Sequence, residues 1–369
     1  MPSKAQRIVV KVGTNTLCGE LDQPDPWYMA ALADDVCALR AKGHHVIVVT
    51  SGAIGAGKGI LGLAEKPRDV RMRQVCAAVG QPRLMEGWAS AFARRGVHVG
   101  QVLLTYHTFA ARASDLHMRE AMLKLLEMGI VPIVNENDTT SISEIDASFG
   151  DNDRLSALVA TKLEADLLVI LSDVAGLYTK PPGKPGAELV EQVDEIDDEI
   201  MAMAAAKVGA KGRGGMRSKL EAAKLAMENG TPVTIAPGRE AHVLARVVDG
   251  ERIGTLFVPR SRKAGARRWL LVARGVGGVV VDAGAARALR AGKHLLPAGV
   301  VDVHGHFDVE SVVDIITDGR VIARALSELS ANDLARVKGM HTPEAQAALG
   351  VTGPVNVTKK GNLLLLDEK

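Results

Sequence analysis

The residues best suited to chemistry in this sequence are lysines, carboxylates and side-chain amides, gathered in three polar segments. Lys11 interrupts the apolar run 8–13, an acidic stretch spans residues 134–155, and residues 209–219 combine four glycines with four cations. Lysines beside bare backbone N–H groups can hold phosphate oxygens, and carboxylates can hold Mg²⁺. These residue types are the ones that phosphoryl transfer requires.

The acidic stretch lies between an apolar run at residues 130–134, which predicts a buried strand, and residues 155–163, which predict a helix. In open α/β sheets ligands bind at the carboxyl ends of the strands, so these polar side chains would face a ligand. The simpler alternative is a solvated loop in which Asp151 or Asn152 caps the helix.

Two segments nearer the N-terminus could also contact an anion. Lys11 in a buried strand needs a counter-charge or a ligand, unless the strand lies at an edge with the lysine in water. Residues 52–58 spell G-x-x-x-x-G-K after the predicted strand 45–50, but Gly59 stands where a P-loop needs Ser or Thr, which disfavours a P-loop NTPase. Residues 51–59 then predict a glycine loop whose bare backbone N–H groups let an anion approach a helix N-terminus. The alternative is a flexible turn.

The basic segment 209–219 precedes a helical pattern at residues 220–229 and predicts a second anion site. The alternative is a basic surface turn. Another polar segment, residues 172–179, follows the fully apolar run 166–171. Both segments would lie at the same edge of a parallel sheet as the acidic stretch.

The remaining elements alternate between strand and helix patterns, which indicates a mostly parallel sheet covered by helices on both faces. Predicted strands are residues 8–13, 45–50, 97–104, 130–134, 166–171, 231–236 and 254–258. Predicted helices are residues 26–42, 69–95, 112–128, 155–163, 196–208, 220–229 and 240–248. Gly80 and Pro82 predict a break in the second of these helices.

Bulk composition excludes several classes of protein. The chain has 369 residues, 47% of them hydrophobic, and a net charge of +2, so charge gives no argument for nucleic acid or a membrane surface. Three cysteines without a C-x-x-C pair fit a reducing compartment and no zinc site. The N-terminus does not resemble a signal peptide, and no apolar run reaches the roughly 18 residues that span a bilayer. We expect a cytoplasmic protein.

The composition changes at residue 259, which predicts two domains. Residues 1–259 form the predicted α/β domain. Residues 260–268, with five cations, form a linker, and residues 269–369 form a small β-rich barrel. His304 and His306 flank a glycine in the barrel, but two histidines without a third ligand predict no metal site.

Other enzyme classes fit the sequence poorly. No histidine or cysteine lies in a convincing nucleophile arrangement, and no G-x-G-x-x-G is followed by an acid, so a covalent hydrolase and a nicotinamide enzyme are both disfavoured.

Six ordered motifs resemble the glutamate 5-kinase family of the amino acid kinase superfamily. They are Val10-Lys11-Val12-Gly13-Thr14, Val49-Thr50-Ser51-Gly52-Ala53-Ile54, Asn135-Glu136-Asn137-Asp138, Gly150-Asp151-Asn152-Asp153, Leu171-Ser172-Asp173 with Gly176-Leu177-Tyr178-Thr179, and Gly214-Gly215-Met216-Arg217-Ser218-Lys219. The remainder of the chain resembles the PUA domain appended to bacterial members.

The resemblance implies that ATP, with Mg²⁺, phosphorylates the γ-carboxylate of L-glutamate, the first step of proline biosynthesis. It implies catalytic roles for Lys11, Lys219 and Asp153. It implies that the substrate binds to Ser51, Gly52, Ala53, Asn135, Asp138 and Asn152. It implies that the nucleotide binds to Lys11, Gly13, Ser172, Asp173, Arg213, Gly214, Gly215, Met216, Arg217, Ser218 and Lys219. No residue is assigned as a direct metal ligand.

The resemblance also implies partners. Members of the family are often inhibited by proline and often oligomeric, so we expect both properties. The chain departs from the family at Arg213, where Thr is usual, and at Ser172, where Ser replaces Thr and keeps a hydroxyl. Alternatives are a related kinase acting on aspartate or N-acetylglutamate, and an RNA-binding protein acting through the barrel. The barrel has few aromatic residues for base stacking, such as Trp269 and Phe307.

Overall fold

The computed structural model describes residues 6–18, 23–65, 67–105, 108–109, 112–140, 152–204, 215–259, 275–359 and 362–366. The chain divides into two compact units. One comprises Met1–Tyr106 and Arg119–Lys263, and the other comprises His107–Met118 and Ala264–Lys369. The linker predicted at residues 260–268 lies outside the described residues, so the predicted domain boundaries stay a prediction.

The first unit is built on an eight-stranded sheet. Its strands are β1 (Arg7–Val12), β2 (His45–Val49), β3 (Val99–Leu104), β4 (Val131–Glu136), β5 (Leu167–Ser172), β6 (Gln192–Val193), β7 (Val233–Pro237) and β8 (Thr255–Phe257). Their spatial order is β3-β4-β2-β1-β5-β7-β8-β6. The strands from β3 to β7 in this order are parallel, and β8 is antiparallel to β7. This sheet confirms the predicted mostly parallel α/β fold.

Strand β1 lies in the middle of the sheet, between β2 and β5. Lys11 pairs in register with Val49 of β2 and Ile170 of β5, and only 1% of its surface is exposed. The alternative of an edge strand with Lys11 in water is therefore wrong. A lysine buried at this position requires a negative charge close by.

Helices occupy most of the connections between these strands. They are α1 (Thr14–Cys18), α2 (Pro26–Ala41), α3 (Ala53–Ile60), α4 (Val70–Ala93), α5 (Arg112–Glu127), α6 (Asn152–Lys162), α7 (Asp198–Met203), α8 (Met216–Glu228) and α9 (Val243–Val248). Helices α6 and α8 begin earlier than predicted. Asn152 and Asp153 therefore lie in the first turn of α6, and Met216–Lys219, predicted as loop, form the first turn of α8.

Helices α3 and α4 pack closely because glycines lie at their crossing. A Cβ on Gly57 would lie 1.8 Å from the carbonyl oxygen of Cys76, and a Cβ on Gly80 would lie 1.9 Å from that of Ala53. The predicted glycine loop is wrong beyond Gly52, because the residues that follow form α3 and Gly57 lies where α3 packs on α4. The break predicted at Gly80 and Pro82 is also wrong, because α4 continues through both residues.

The second unit contains a five-stranded sheet in the order β10-β9-β11-β12-β13. Its strands are β9 (Gly277–Val281), β10 (Val300–His304), β11 (Val312–Thr317), β12 (Arg320–Leu326) and β13 (Leu363–Leu365). Its helices are α10 (Ala283–Arg290), α11 (Ala331–Val337) and α12 (Thr342–Leu349). Helix α12 and strand β13 were not predicted. Phe307 is 6% exposed within this unit's core, so its ring is not available to stack on a base.

No helix in the described part of the chain is both long enough and apolar enough to cross a membrane.

Candidate active site

Polar side chains gather where the parallel strands end. Lys11 lies next to the last residue of β1, Ser51 follows β2, Asn135 lies next to the last residue of β4, and Ser172 ends β5. Because the strands are parallel, their carboxyl ends lie at one edge of the sheet, where ligands bind in open α/β folds. Helix α6 begins at the same edge with Asn152, so the solvated-loop interpretation of this residue is wrong: it is 7% exposed.

Two lysines from distant parts of the chain meet at one carboxylate. Lys11 Nζ lies 2.6 Å from Asp153 Oδ1, and Lys219 Nζ lies 3.3 Å from Asp153 Oδ2. Asp153 is fully buried, and Lys219 is 7% exposed. Ser218 Oγ also donates to Asp153 Oδ2, at 2.7 Å. We call Lys11, Asp153 and Lys219 the Lys–Asp–Lys cluster.

The electrostatics of the cluster keep Asp153 ionised. Burial by itself raises the pKa of this carboxyl group, because it disfavours the charged form. The charges of Lys11 and Lys219 act in the opposite direction and, with the hydrogen bond from Ser218, hold the pKa of Asp153 below its ordinary value. The cluster therefore carries two ammonium groups and one carboxylate, a formal charge of +1 in a buried place.

Beside the cluster, side-chain amides connect the ends of β2 and β4 to α6. Asn152 Nδ2 lies 3.1 Å from Ser51 Oγ and 2.8 Å from Asn135 Oδ1, and it also donates to the backbone oxygen of Thr50. Trp88 Nε1 of α4 donates to Thr50 Oγ1 at 3.1 Å. The predicted residues Ser51, Asn135 and Asn152 thus form one network, which we call the amide network.

Two helices that start at this edge have no side-chain cap. Gly52 precedes α3 with φ +106°, and Gly215 precedes α8. The first-turn N–H groups are therefore not satisfied by a capping side chain, and such groups attract anions. Other helices have a side chain as N-cap: Asp25 for α2, Asp69 for α4, Asp197 for α7, Asp282 for α10 and Ser330 for α11. Ala53, a predicted substrate residue, is the first residue of α3.

The end of β5 carries a second carboxylate. Asn15 Nδ2 donates to Asp173 Oδ2 at 2.9 Å, and Ser172 Oγ lies 3.2 Å from Asp173 Oδ1. Partial burial raises the pKa of Asp173, but the hydrogen bond from Asn15 and the charge of Lys219 leave the pKa below its ordinary value. Asp173 is thus a charged group that lies within the electrostatic influence of Lys219.

Gly13 leaves room for the ammonium group of the same strand. A Cβ at this position would lie 3.1 Å from Lys11 Nζ, closer than most such contacts. A side chain here would therefore crowd the Lys–Asp–Lys cluster.

The other predicted site residues are less closely joined to the cluster. Asp138 is half-buried in the turn after β4, and Met216 is half-buried at the start of α8. Arg217 is exposed, and its Nε lies 3.1 Å from Glu221 Oε1. Arg213 and Gly214 lie outside the described residues, as do Gly150 and Asp151.

Sequence reasoning missed four residues around the site: Asn15, Thr50, Gln81 and Trp88. Asn15 and Thr50 lie inside or next to motifs that were singled out, so their positions offered a signal. Gln81 is 9% exposed and accepts a hydrogen bond from Asn135 at 2.8 Å. It was overlooked because its helix was predicted to break at the neighbouring residues.

In the described part of the chain, no group of three or more His, Cys, Asp or Glu residues could hold a metal ion. His304 Nε2 lies 3.4 Å from Asp302 Oδ2, and both side chains are largely exposed. Mg²⁺ in kinases is commonly held by one or two carboxylates together with substrate phosphates. Asp173 supplies a carboxylate of the right chemistry beside the cluster.

Comparison with known proteins gives matches over both units. The profile of the amino acid kinase family matches residues 6–237, and that of the PUA domain matches residues 277–349. Glutamate 5-kinase from Methanosarcina mazei is 43% identical over 371 residues, which cover 98% of this chain and 96% of the relative. The Methanosarcina barkeri glutamate 5-kinase is 44% identical, covering 98% and 97%. The glutamate 5-kinase of Moorella thermoacetica is 43% identical, covering 99% and 97%.

Proposed function

The chain belongs to the amino acid kinase family, with a C-terminal PUA domain, and aligns with glutamate 5-kinases over nearly its whole length; from this premise we propose that it phosphorylates L-glutamate. The reaction transfers the γ-phosphoryl group of ATP to the γ-carboxylate and gives L-glutamyl 5-phosphate, the first step of proline biosynthesis. The observation that carries the proposal is the buried Lys–Asp–Lys cluster at the carboxyl edge of the sheet.

In this proposal Lys11 and Lys219 stabilise negative charge on the oxygens of the phosphoryl group in transfer. Phosphoryl transfer depends mainly on positioning and on such stabilisation. Asp153 fixes the separation and direction of the two ammonium groups, because each of its oxygens contacts one of them. The acceptor is itself a carboxylate that is ionised at pH 7, so no general base is needed.

The substrate amino acid is assigned to the residues around the amide network and the start of α3. Its ammonium group pairs with Asp138, and a carboxylate binds at the uncapped start of α3, where Gly52 and Ala53 present backbone N–H groups. Ser51, Asn135 and Asn152 hold the same molecule through the amide network. A free ammonium group is required by this arrangement, which disfavours N-acetylglutamate.

The nucleotide is assigned to Gly13, Ser172, Asp173 and the start of α8, from Gly215 to Lys219, where another uncapped helix faces its phosphates. Roles for Arg213 and Gly214 stay a prediction. When bound with ATP, Mg²⁺ would neutralise charge on the phosphate oxygens, and Asp173 is the protein carboxylate suited to hold it.

A coupled assay of ADP release tests the proposal. We expect turnover that requires both L-glutamate and ATP, with much lower rates for L-aspartate and N-acetyl-L-glutamate. Lys11→Ala and Lys219→Ala should each lower kcat by about 100- to 1000-fold, the usual loss when one group that stabilises transition-state charge is removed. Lys42→Ala is the matched control, because Lys42 is exposed and pairs with Asp249 at 2.7 Å.

Unchanged rates in both lysine variants would contradict the roles given to them, and a preference for another acceptor would identify a related kinase. Inhibition by proline, oligomer formation and a cytoplasmic location stay predictions. RNA binding through the C-terminal unit is tested by filter binding at increasing salt, because phosphate contacts weaken steeply with salt.

A further inference from the structure

The side chain of Gln81 lies behind the amide network and has no role in the function proposed above. It belongs to α4, seven residues before Trp88, so the two side chains lie on the same face of that helix. Trp88 donates to Thr50 at the end of β2, and Gln81 contacts Asn135 near the end of β4. Helix α4 therefore contacts the ends of β2 and β4, and residues at both ends accept hydrogen bonds from Asn152.

The hydrogen bonds determine which end of each amide is the donor. Asn135 Oδ1 accepts from the backbone N–H of Glu136 at 2.9 Å, so this atom must be the oxygen. Asn135 Nδ2 is then a donor, and its partner at 2.8 Å is Gln81 Oε1. The remaining atom of the Gln81 carboxamide, Nε2, is consequently an N–H₂ group that can only donate.

Among the described residues, this buried donor group has no acceptor. Gln81 Nε2 has no hydrogen-bond partner among the described residues, and the whole residue is 9% exposed. Leaving a buried N–H group without an acceptor costs free energy, so native structures nearly always provide one. The side chain is held by Asn135, which is joined in turn to Asn152, so the missing acceptor belongs beside the amide network.

We propose that Gln81 Nε2 donates a hydrogen bond to a carboxylate oxygen of the amino acid substrate. The proposal rests on the function proposed above. A carboxamide N–H₂ group cannot bind an ammonium group, whereas a carboxylate is its strongest acceptor in an amino acid. Gln81 is then a substrate-binding residue, and α4 contributes a side chain to the amino acid site.

Two substitutions separate this role from a structural one. Gln81→Glu keeps an oxygen that accepts from Asn135 but has no N–H₂ group, and Gln81→Met removes both functions. We expect the Kd of L-glutamate, measured by titration calorimetry without ATP, to rise about 10- to 100-fold in both variants, the range for a lost hydrogen bond to a charged group. The KM of ATP should change by less than about twofold. Gln101→Glu is the matched control, since Gln101 is exposed on β3.

The experiments distinguish failure of the role proposed for Gln81 from failure of the proposed kinase activity. A wild-type protein without glutamate-dependent ADP release contradicts the proposed function, whereas an active wild type with unaltered glutamate affinity in Gln81→Glu contradicts only the role of Gln81. If Gln81→Glu does not fold, an NMR titration of the wild-type protein tests the role of Gln81 instead. The side-chain amide signal of Gln81 is identified as the one that is missing from the NMR spectrum of Gln81→Met. In the wild-type spectrum this signal should shift when L-glutamate alone is added. A signal that does not shift overturns the proposal.

Discussion

Two ion clusters in this chain have three members each but opposite surroundings. In the Lys–Asp–Lys cluster, two cations share the buried carboxylate of Asp153. Near the end of α9, Arg246 lies between two carboxylates on the surface. Its Nε is 2.8 Å from Glu251 Oε2, and its Nη1 is 3.2 Å from Glu240 Oε2. We call these three residues the surface cluster.

The two clusters differ in the sign of their net charge and in whether water surrounds it. The surface cluster has a formal charge of −1, which water and salt screen, so ion pairs of this kind contribute little to stability. The Lys–Asp–Lys cluster has a formal charge of +1 in a buried place, where removal from water is unfavourable unless an anion arrives. The buried arrangement is therefore explained by binding of a phosphate rather than by a gain in stability.

Asp153→Asn tests the buried cluster most severely. It leaves two buried lysines without their shared carboxylate, so the free energy of unfolding should fall by about 3–5 kcal/mol. We also expect kcat to fall by at least about 100-fold, because the ammonium groups lose their alignment. Urea denaturation and the ADP-release assay measure the two effects. A variant with wild-type stability would show that the cluster is not buried as described.

Replacing all three members should separate stability from activity. The triple variant Lys11→Met, Asp153→Leu and Lys219→Met exchanges charges for apolar side chains of similar size. Such exchanges are often neutral or stabilise by about 1–4 kcal/mol. We expect denaturation at or above the wild-type urea midpoint together with undetectable kinase activity. A strongly destabilised triple variant would instead assign the cluster a structural role.

The pH dependence of stability should reveal the lowered pKa of Asp153. Its carboxyl group has a pKa below about 3.9 when folded and about 3.9 when unfolded, so it stabilises the protein fully above about pH 4. That contribution is lost as the pH falls through the folded-state pKa. The difference in unfolding free energy between wild type and Asp153→Asn should therefore be constant from about pH 8 to about pH 5 and shrink below about pH 4. A difference in unfolding free energy that shrinks already at neutral pH would contradict the lowered pKa of Asp153.

The surface cluster should give the smallest effect. Glu251 is exposed, and the hydrogen bond from Arg246 lowers its pKa. Glu251→Gln should leave the urea midpoint and kcat unchanged within error, because exposed ion pairs are largely screened. A loss of stability comparable to that of Asp153→Asn would remove the contrast between the two clusters.

Much of the fold could be predicted because buried parallel strands are continuous apolar runs. The bounds of β2 and β3 were predicted to within two residues. Glycine caused the main mistakes. Gly57 and Gly80 were interpreted as loop and break signals, but they lie inside helices where two backbones approach closely. A sequence pattern cannot distinguish a glycine that permits a turn from one that permits helix packing.

The candidate site was predicted as a set of residues but not as an arrangement. The motifs supplied Lys11, Asp153 and Lys219, and the structure brings both lysines within hydrogen-bonding distance of Asp153. Gln81 could not be found in this way, because α4 carries several polar residues and no pattern distinguishes one glutamine among them. Its role follows only from its contact with Asn135 and from its buried donor group.

The sequence by itself determined which elements form and which chemical groups the chain can offer, because periodicity, apolar runs and residue types are local properties. The tertiary structure alone decided which of those groups meet. The strand order β3-β4-β2-β1-β5-β7-β8-β6 places the ends of β1, β2, β4 and β5 side by side and brings α6 and α8 to them. Burial of Lys11, Asp153 and Lys219 together also depends on that packing, and burial is what gives three ordinary charges an electrostatic effect that water would otherwise remove.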